Sequence, residues 1–237
     1  MRTLKKVTLV DQAVREIFLY IQNNGMKPDD VLPSEGKLSE FLGVSRPVVR
    51  EALRTLQGRG VLDLVNGKGA VVRPVDGSLL STYFDRIAES GISNLIELEE
   101  ARHGLDMHAS RLAAEKRTEE GIEALDEVLT EMRECVRDTR KYSDLNERFH
   151  KLIAEIGGNR IIINLSEALS ATLGNALEPI YDSVIDEDHW VGIHPYHEML
   201  FKYIKEGKPQ EASDITLEHL RFSLERKRDE GALSSNE

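Results

Sequence analysis

Residues 32–72 read LPSEGKLSEFLGVSRPVVREALRTLQGRGVLDLVNGKGAVV, and their order of signals decides the fold of the first third of the chain. Ser34, just after Pro33, is a good N-cap for a first helix, on which Leu38, Phe41 and Leu42 recur at helical spacing and form one apolar face. Gly43 supplies the backbone freedom a tight turn needs, and Val44 follows it as a plug between helices. Ser45 caps a second helix, with Pro47 early enough that its missing N–H costs nothing. Val49, Ala52, Leu53 and Leu56 form its buried stripe, while Arg46, Arg50 and Arg54, four apart, share another face. Arginine's rigid fork of donors suits guanine edges and phosphates. Gly58 and Gly60 end this helix, and Val61–Val65 and Ala70–Val72 are short strands around the turn Asn66-Gly67-Lys68-Gly69. Helix, turn, helix and hairpin in this order make a winged helix-turn-helix, which sets one helix in the major groove of DNA and carries Lys68 to the minor groove or the backbone.

The segment resembles the DNA-binding domain of the GntR family of bacterial transcription regulators, through LPSE, LGVSRPVVREALRTLQGRGV and NGKGAVV. The resemblance implies DNA contacts from Ser45, Arg46, Pro47 and Arg50 on the recognition helix, and from Asn66 and Gly67 in the wing. One departure stands out. The family usually has a DNA-touching arginine directly after the LPSE-type glutamate, where this chain has Gly36; Lys37, next to it, is the available substitute.

Charge divides the chain. Residues 1–75 carry 12 Lys and Arg against 8 Asp and Glu, and the remainder carries 19 against 34. A basic head on an acidic body fits one nucleic-acid face and one module of another kind. The expected domains are 1–75, the winged helix-turn-helix, and 78–228, an effector-binding and dimerising body, followed by a disordered tail at 229–237. The single Cys135 excludes an internal disulfide and fits a reducing cytoplasm. No signal peptide and no apolar run of about 18 residues is visible, so neither export nor a membrane span is expected. The expected location is the bacterial cytoplasm, on the nucleoid when DNA is bound.

Ahead of the quoted stretch, Val7–Asn23 reads as an amphipathic helix with Val10, Val14, Ile17 and Ile21 on one face. Beyond the linker Arg73–Ser78 the period is helical throughout: Leu79–Ser90, Leu95–Lys116, Glu119–Asp138, Tyr142–Ile156, Ile161–Ile185, Trp190–Lys205 and Pro209–Arg228. The fold class is therefore mostly α: a winged helix-turn-helix followed by an all-α bundle of six or seven helices.

Polar residues interrupt the apolar stripes of this body. His150 lies among Phe149, Leu152 and Ile153, with Asn146 one turn before it; His197 falls between Ile193, Leu200 and Ile204, and His219 between Ile215 and Phe222. A histidine on an apolar face is most often a satisfied core residue. Three on three helices admit a second reading, a metal site in the bundle core, because imidazole is the common ligand of zinc and its neighbours. Arg102 is in line with Leu95, Leu98, Leu105 and Ala109, so it faces inward and needs an anion: a carboxylate of the bundle or a bound ligand. His103, His108 and His189 read as structural or surface residues.

The body is similar to the all-helical FCD ligand-binding domain of the FadR-like branch of GntR regulators, through ELEEARHGLD, NERFHKLI and HEMLFKYIKEG with a later histidine in LEHL. The resemblance implies a divalent metal (zinc first, nickel or manganese as alternatives) held by Asn146, His150, His197 and His219, and an effector carboxylate gripped by Arg102. Its register selects His197 over the nearby His194, through Leu200, Ile204 and Gly207. Asn146 stands where Asp is more common, a neutral and weaker donor, so metal binding weaker than with Asp is expected, with an anionic effector completing the site. Asp144 lies on another face, and Glu147 is the nearer alternative carboxylate.

The resulting expectation is a homodimeric regulator, a repressor in this branch, that binds a palindromic operator in double-stranded DNA and answers a small organic acid. A three-histidine hydrolase is the second reading, although no HExxH or other catalytic motif is present. A DNA-binding protein without an effector is the third. The pyridoxal-phosphate-bearing branch of the family is excluded by length.

Overall fold

The computed structural model describes residues 7–184 and 187–229, and the side chains among them except at 92–93, 177–184 and 224–229. The chain divides into two compact units, residues 1–76 and 77–237.

In the first unit, α1 (Leu9–Asn23) starts at a capping box, in which Thr8 accepts from the Asp11 N–H while the Asp11 carboxylate accepts from the Thr8 N–H. The helix buries Ala13, Val14, Ile17 and Ile21. Next comes α2 (Glu35–Leu42), capped by the Ser34 hydroxyl accepting from Lys37, and Gly43 closes it in the left-handed conformation at φ 63°. The following helix, α3 (Arg46–Gly58), buries Val49, Ala52, Leu53 and Leu56 against α1 and α2. The hairpin β1 (Leu62–Val65) and β2 (Gly69–Val72) is antiparallel, with Leu62 opposite Val72 and Val65 opposite Gly69. Gly67, at φ 77°, turns its tip.

Three local expectations are corrected. Phe41 does not join the apolar face of α2 but is 68% exposed, because α2 is two turns long and its inner line is Leu38 and Leu42. Ser45 occupies the N-cap position of α3 with extended backbone, yet its side chain makes no capping hydrogen bond. The wing is also wider than a hairpin: Val31 bridges Val71, and Leu32 N–H donates to Ala70 C=O at 2.8 Å, so the segment before α2 lines the second edge of β2.

The second unit is built of seven helices among the described residues: α4 (Ser78–Ala88), α5 (Ile92–Lys116), α6 (Glu119–Glu134), α7 (Thr139–Gly157), α8 (Arg160–Val184), α9 (Glu187–Glu206) and α10 (Pro209–Asp229). α6 ends four residues before the expected Asp138, because Asp138 instead caps α7, its side chain accepting from Lys141 N–H. The expected end of the fifth body helix at Ile185 and the tail beyond Asp229 lie outside the described residues.

The long α5 packs against α7, α8, α9 and α10, α6 covers α7 and α9, and α4 lies on α8 and α5. The main core joins Leu125, Val128, Met132, Tyr142, Phe149, Ile153, Ile193 and Ile204, all nearly or wholly removed from solvent. A smaller cluster of Leu95, Leu98, Leu169 and Leu173 ties α5 to α8. This arrangement turns the inner faces of α5, α7, α9 and α10 toward one another, and those faces carry the interrupting polar residues. Among the described residues, no helix is long and apolar enough to cross a membrane.

Candidate functional site

On the first unit, α3 presents Arg46, Arg50 and Arg54 to solvent, and the wing tip presents Asn66, Gly67 and Lys68. Ser45, Pro47 and Lys37 are exposed beside them. Arg50 is not a free side chain: its Nε lies 3.2 and 3.3 Å from the two Glu35 carboxylate oxygens and its Nη2 lies 2.9 Å from Oε2. The bidentate pair couples the first turn of α2 to α3, and the hydrogen bond from Arg50, with Arg46 and Arg54 nearby, holds the Glu35 carboxyl below its usual range. The Arg46 guanidinium rests over the departure position: a Cβ at Gly36 would stand 3.3 Å from Arg46 Nη2. Sequence reading treated Glu35 only as the glutamate of the LPSE motif and missed this pair. Its one signal is an acid at the beginning of α2 opposite a three-arginine face.

On the second unit, α7 carries Asn146 and His150, α9 carries His197, α10 carries His219 and α5 carries Arg102. One ring nitrogen from each of His150, His197 and His219 lies within 4.8 Å of the others. The ring centroids are 5.5 Å apart for His150–His197, 5.1 Å for His150–His219 and 4.6 Å for His197–His219. His194, the alternative to His197, is not in this group, and its Nδ1 instead lies 2.9 Å from the Tyr142 hydroxyl.

Burial determines the charge of the cluster. It pushes the His150 imidazolium pKa down to about 3, with the Arg102 charge as a second cause. Burial also drives His197 and His219 well below their ordinary value, and the neighbouring histidines add to the effect. Neutral imidazole is the form that binds metal. His197 Nε2, both ring nitrogens of His219 and Asn146 Oδ1 are buried with no hydrogen-bond partner. A buried polar atom without a partner costs about 1–3 kcal/mol, and native interiors rarely leave several together. Orphaned donors and acceptors converging from three helices fit a divalent ion of the zinc class.

Beside them is a cavity of about 400 Å³ lined by Arg102, Asn146, His150 and His219, with Glu99 and Asp106 below Arg102 and Trp190 and Ile193 on an apolar wall. Arg102 Nη2 donates to Glu99 Oε2 at 2.8 Å, while its Nε is 4.0 Å from Asp106 and makes no hydrogen bond. Burial raises the Asp106 carboxyl to about 6 against the pull of Arg102. Arg102 thus has a bundle carboxylate as partner and keeps one buried N–H without a hydrogen bond. Sequence reading missed Glu99, Asp106 and Tyr142. His189, read as structural or surface, is buried and lines the cavity, whereas His103 is at the edge of the Glu99 pair, 3.6 Å from its carboxylate.

Residues 9–72 match the family model of bacterial regulatory proteins of the gntR family, and residues 97–222 match that of the FCD domain. The chain belongs to the GntR family and carries an FCD domain. Curated relatives of this GntR protein include the HTH-type transcriptional repressor NanR of Cronobacter sakazakii, 28% identical over 222 residues, covering 92% of this chain and 85% of the relative. The uncharacterized HTH-type transcriptional regulator YcbG of Bacillus subtilis is 26% identical over 220 residues, covering 93% and 90%. Among solved structures, Streptococcus agalactiae GntR superposes with a TM-score of 0.71 at 22% identity, over 92% of this chain and 99% of that one. E. coli McbR/YncC reaches 0.53 at 21% identity, over 93% and 97%. These relatives are regulators and not enzymes, which sets aside the hydrolase reading.

Proposed function

We propose that this GntR regulator is a transcriptional repressor whose grip on its operator is released by a small carboxylate bound in the FCD domain with the help of a divalent metal. The observation that carries the reading is the convergence of Arg102, Asn146, His150 and His219 on one cavity, backed by His197. Relatives named as repressors support the sign of the regulation.

In this reading Arg46, Arg50 and Arg54 read base edges and phosphates in the major groove, Ser45, Pro47 and Lys37 seat α2 and α3 on the backbone, and Asn66, Gly67 and Lys68 contact DNA through the wing. A single small head makes few base contacts, so two copies on a palindrome are required, and the chain acts as a homodimer in the cytoplasm. His150, His197, His219 and Asn146 hold the metal, which when bound supplies a Lewis-acid contact for a carboxylate oxygen. Arg102 adds its free Nε–H to the same ligand. Glu99 and Asp106 set two carboxylates against one guanidinium. An anion entering here therefore needs more positive charge than Arg102 provides, and an ion on the histidines supplies it. Effector control then follows from different affinities of the ligand for the DNA-competent and released states.

The test is footprinting of the protein on its own upstream DNA, followed by a screen of small carboxylates, with and without zinc, for release in a gel-shift assay. A carboxylate that releases DNA only with metal present supports the reading. DNA affinity unmoved by every acid and by chelator supports instead a DNA-binding protein without an effector.

A further inference from the structure

The Tyr142 hydroxyl lies between two imidazoles, 2.9 Å from Nδ1 of His194 and 3.1 Å from Nδ1 of His197. Tyr142 is wholly buried, and its ring is braced by Trp190 at a centroid distance of 4.8 Å. A phenol has one proton to donate. If both histidines donated to it, that proton would be buried without a partner. If neither did, one ring lone pair would face the oxygen lone pairs. Two arrangements remain. In the first, His197 Nδ1–H donates to Tyr142 Oη and Oη–H donates to His194 Nδ1. In the second, both bonds run the other way.

The far side of His194 decides between them. Its Nε2 is 3.6 Å from Glu198 Oε1, too long for a hydrogen bond but close enough for charge to act. Glu198 Oε1 is held in place by Arg133, accepting from Nε at 3.1 Å and Nη2 at 2.9 Å. The first arrangement turns an N–H toward that carboxylate, and the second turns a lone pair toward it. Only the first is attractive.

We infer that Tyr142, directed by His194 and Glu198, locks His197 in the tautomer protonated at Nδ1, so that the bare Nε2 lone pair faces His150 and His219. Tyr142 and His194 are positioning residues that prepare His197 as a ligand before any ion arrives. Burial, the main influence on His194, holds its imidazolium below the ordinary range, which keeps the relay in neutral rings. The inference rests on the metal reading above only for its purpose, since the tautomer itself is a property of the metal-free protein. A partner that fixes the second ring nitrogen of a ligating histidine is commonly worth ten- to a hundredfold in metal affinity.

The test is nitrogen-15 NMR of histidine-labelled, metal-free full-length protein, with zinc titration alongside. The expected wild-type spectrum shows His197 protonated at Nδ1. In Tyr142→Phe the His197 shifts move toward a mixture of tautomers, and zinc affinity falls about ten- to a hundredfold. Glu198→Ala, a half-exposed site that leaves the core untouched, makes the Nε2-protonated form visible and weakens zinc to a smaller degree. His197 protonated at Nε2 in the wild type, or unchanged shifts in both variants, overturns the lock. A wild-type protein with the expected tautomer and no zinc binding overturns the metal reading and leaves the lock standing.

Discussion

His197 and His219 face each other across α9 and α10 with ring centroids 4.6 Å apart, and neither Nε2 has a hydrogen-bond partner. Two neutral rings kept this close with unpartnered nitrogens gain little from each other, and in the proposed reading a shared ion partners both. Zinc at a hundredfold excess over its Kd should stabilise the folded chain by about 2.7 kcal/mol. The expected outcome is a thermal midpoint that rises with zinc in the wild type and does not move in His219→Ala. A midpoint that rises equally in both places the ion elsewhere.

Asn146 Oδ1 is buried and unpartnered one turn before His150. An amide donates no charge to an ion, whereas a carboxylate does, so Asn146→Asp should tighten zinc by about tenfold or more, on the order of 1.4 kcal/mol. Isothermal titration measures this directly. Unchanged or weaker zinc binding would count against a ligand role for Asn146.

Arg102 should matter to the signal and not to the operator. Arg102→Ala removes the cavity's guanidinium and leaves Glu99 buried without that partner, while α3 and the wing are untouched. The variant is expected to shift operator DNA as the wild type does and to ignore the releasing carboxylate. Full release at wild-type concentrations would sink the role.

On the DNA side, Arg50 and Lys68 should fail differently. In the proposed reading Arg50 meets a base edge with its guanidinium already held by Glu35, so Arg50→Ala should cost about 1–3 kcal/mol and relax the choice of one base. Lys68→Ala, at the exposed tip, should weaken all sequences alike and reduce the salt slope by about one ion. Competition binding against operator variants at two salt concentrations separates the two.

Much of this was readable before folding, for physical reasons that also mark where reading stops. The helices of the body announce themselves through apolar periodicity, and His150, His197 and His219 stand out because they break it. Arg102 stands out in the same way. Tyr142 does not, since an aromatic on an apolar face looks like ordinary core, and its partners lie 52 and 55 residues away. Glu99 reads as one more surface acid on a charged helix, although packing leaves it 2% exposed. Glu35 and Arg50 are 15 residues apart on different helices, so only the angle of the turn at Gly43 brings them together. Periodicity reports which way a side chain faces. It does not report what another element brings to meet it.

The clustered histidines also set a pH dependence for the metal-free protein. An unfolded histidine titrates near 6.5, whereas folded His150 titrates near 3 and His197 and His219 well below their ordinary value. Below pH 6.5 the unfolded chain therefore binds protons that the folded chain refuses, and stability falls as pH falls. Each such histidine contributes a slope of about 1.4 kcal/mol per pH unit once well below 6.5. Asp106 acts in the opposite sense. Its folded carboxyl titrates near 6 and its unfolded one near 3.8, so between those values the folded state binds the extra proton and gains stability on acidification. One of the three histidine slopes is offset, while His194, also held below its ordinary range by burial, adds in the same sense as the cluster, so urea denaturation of the chelated protein between pH 7.5 and 5 should show a net loss of at least about 3 kcal/mol per unit at the acid end. Asp106→Asn removes the offset and should steepen the loss. A stability flat with pH across this window would mean that the histidine cluster is open to water.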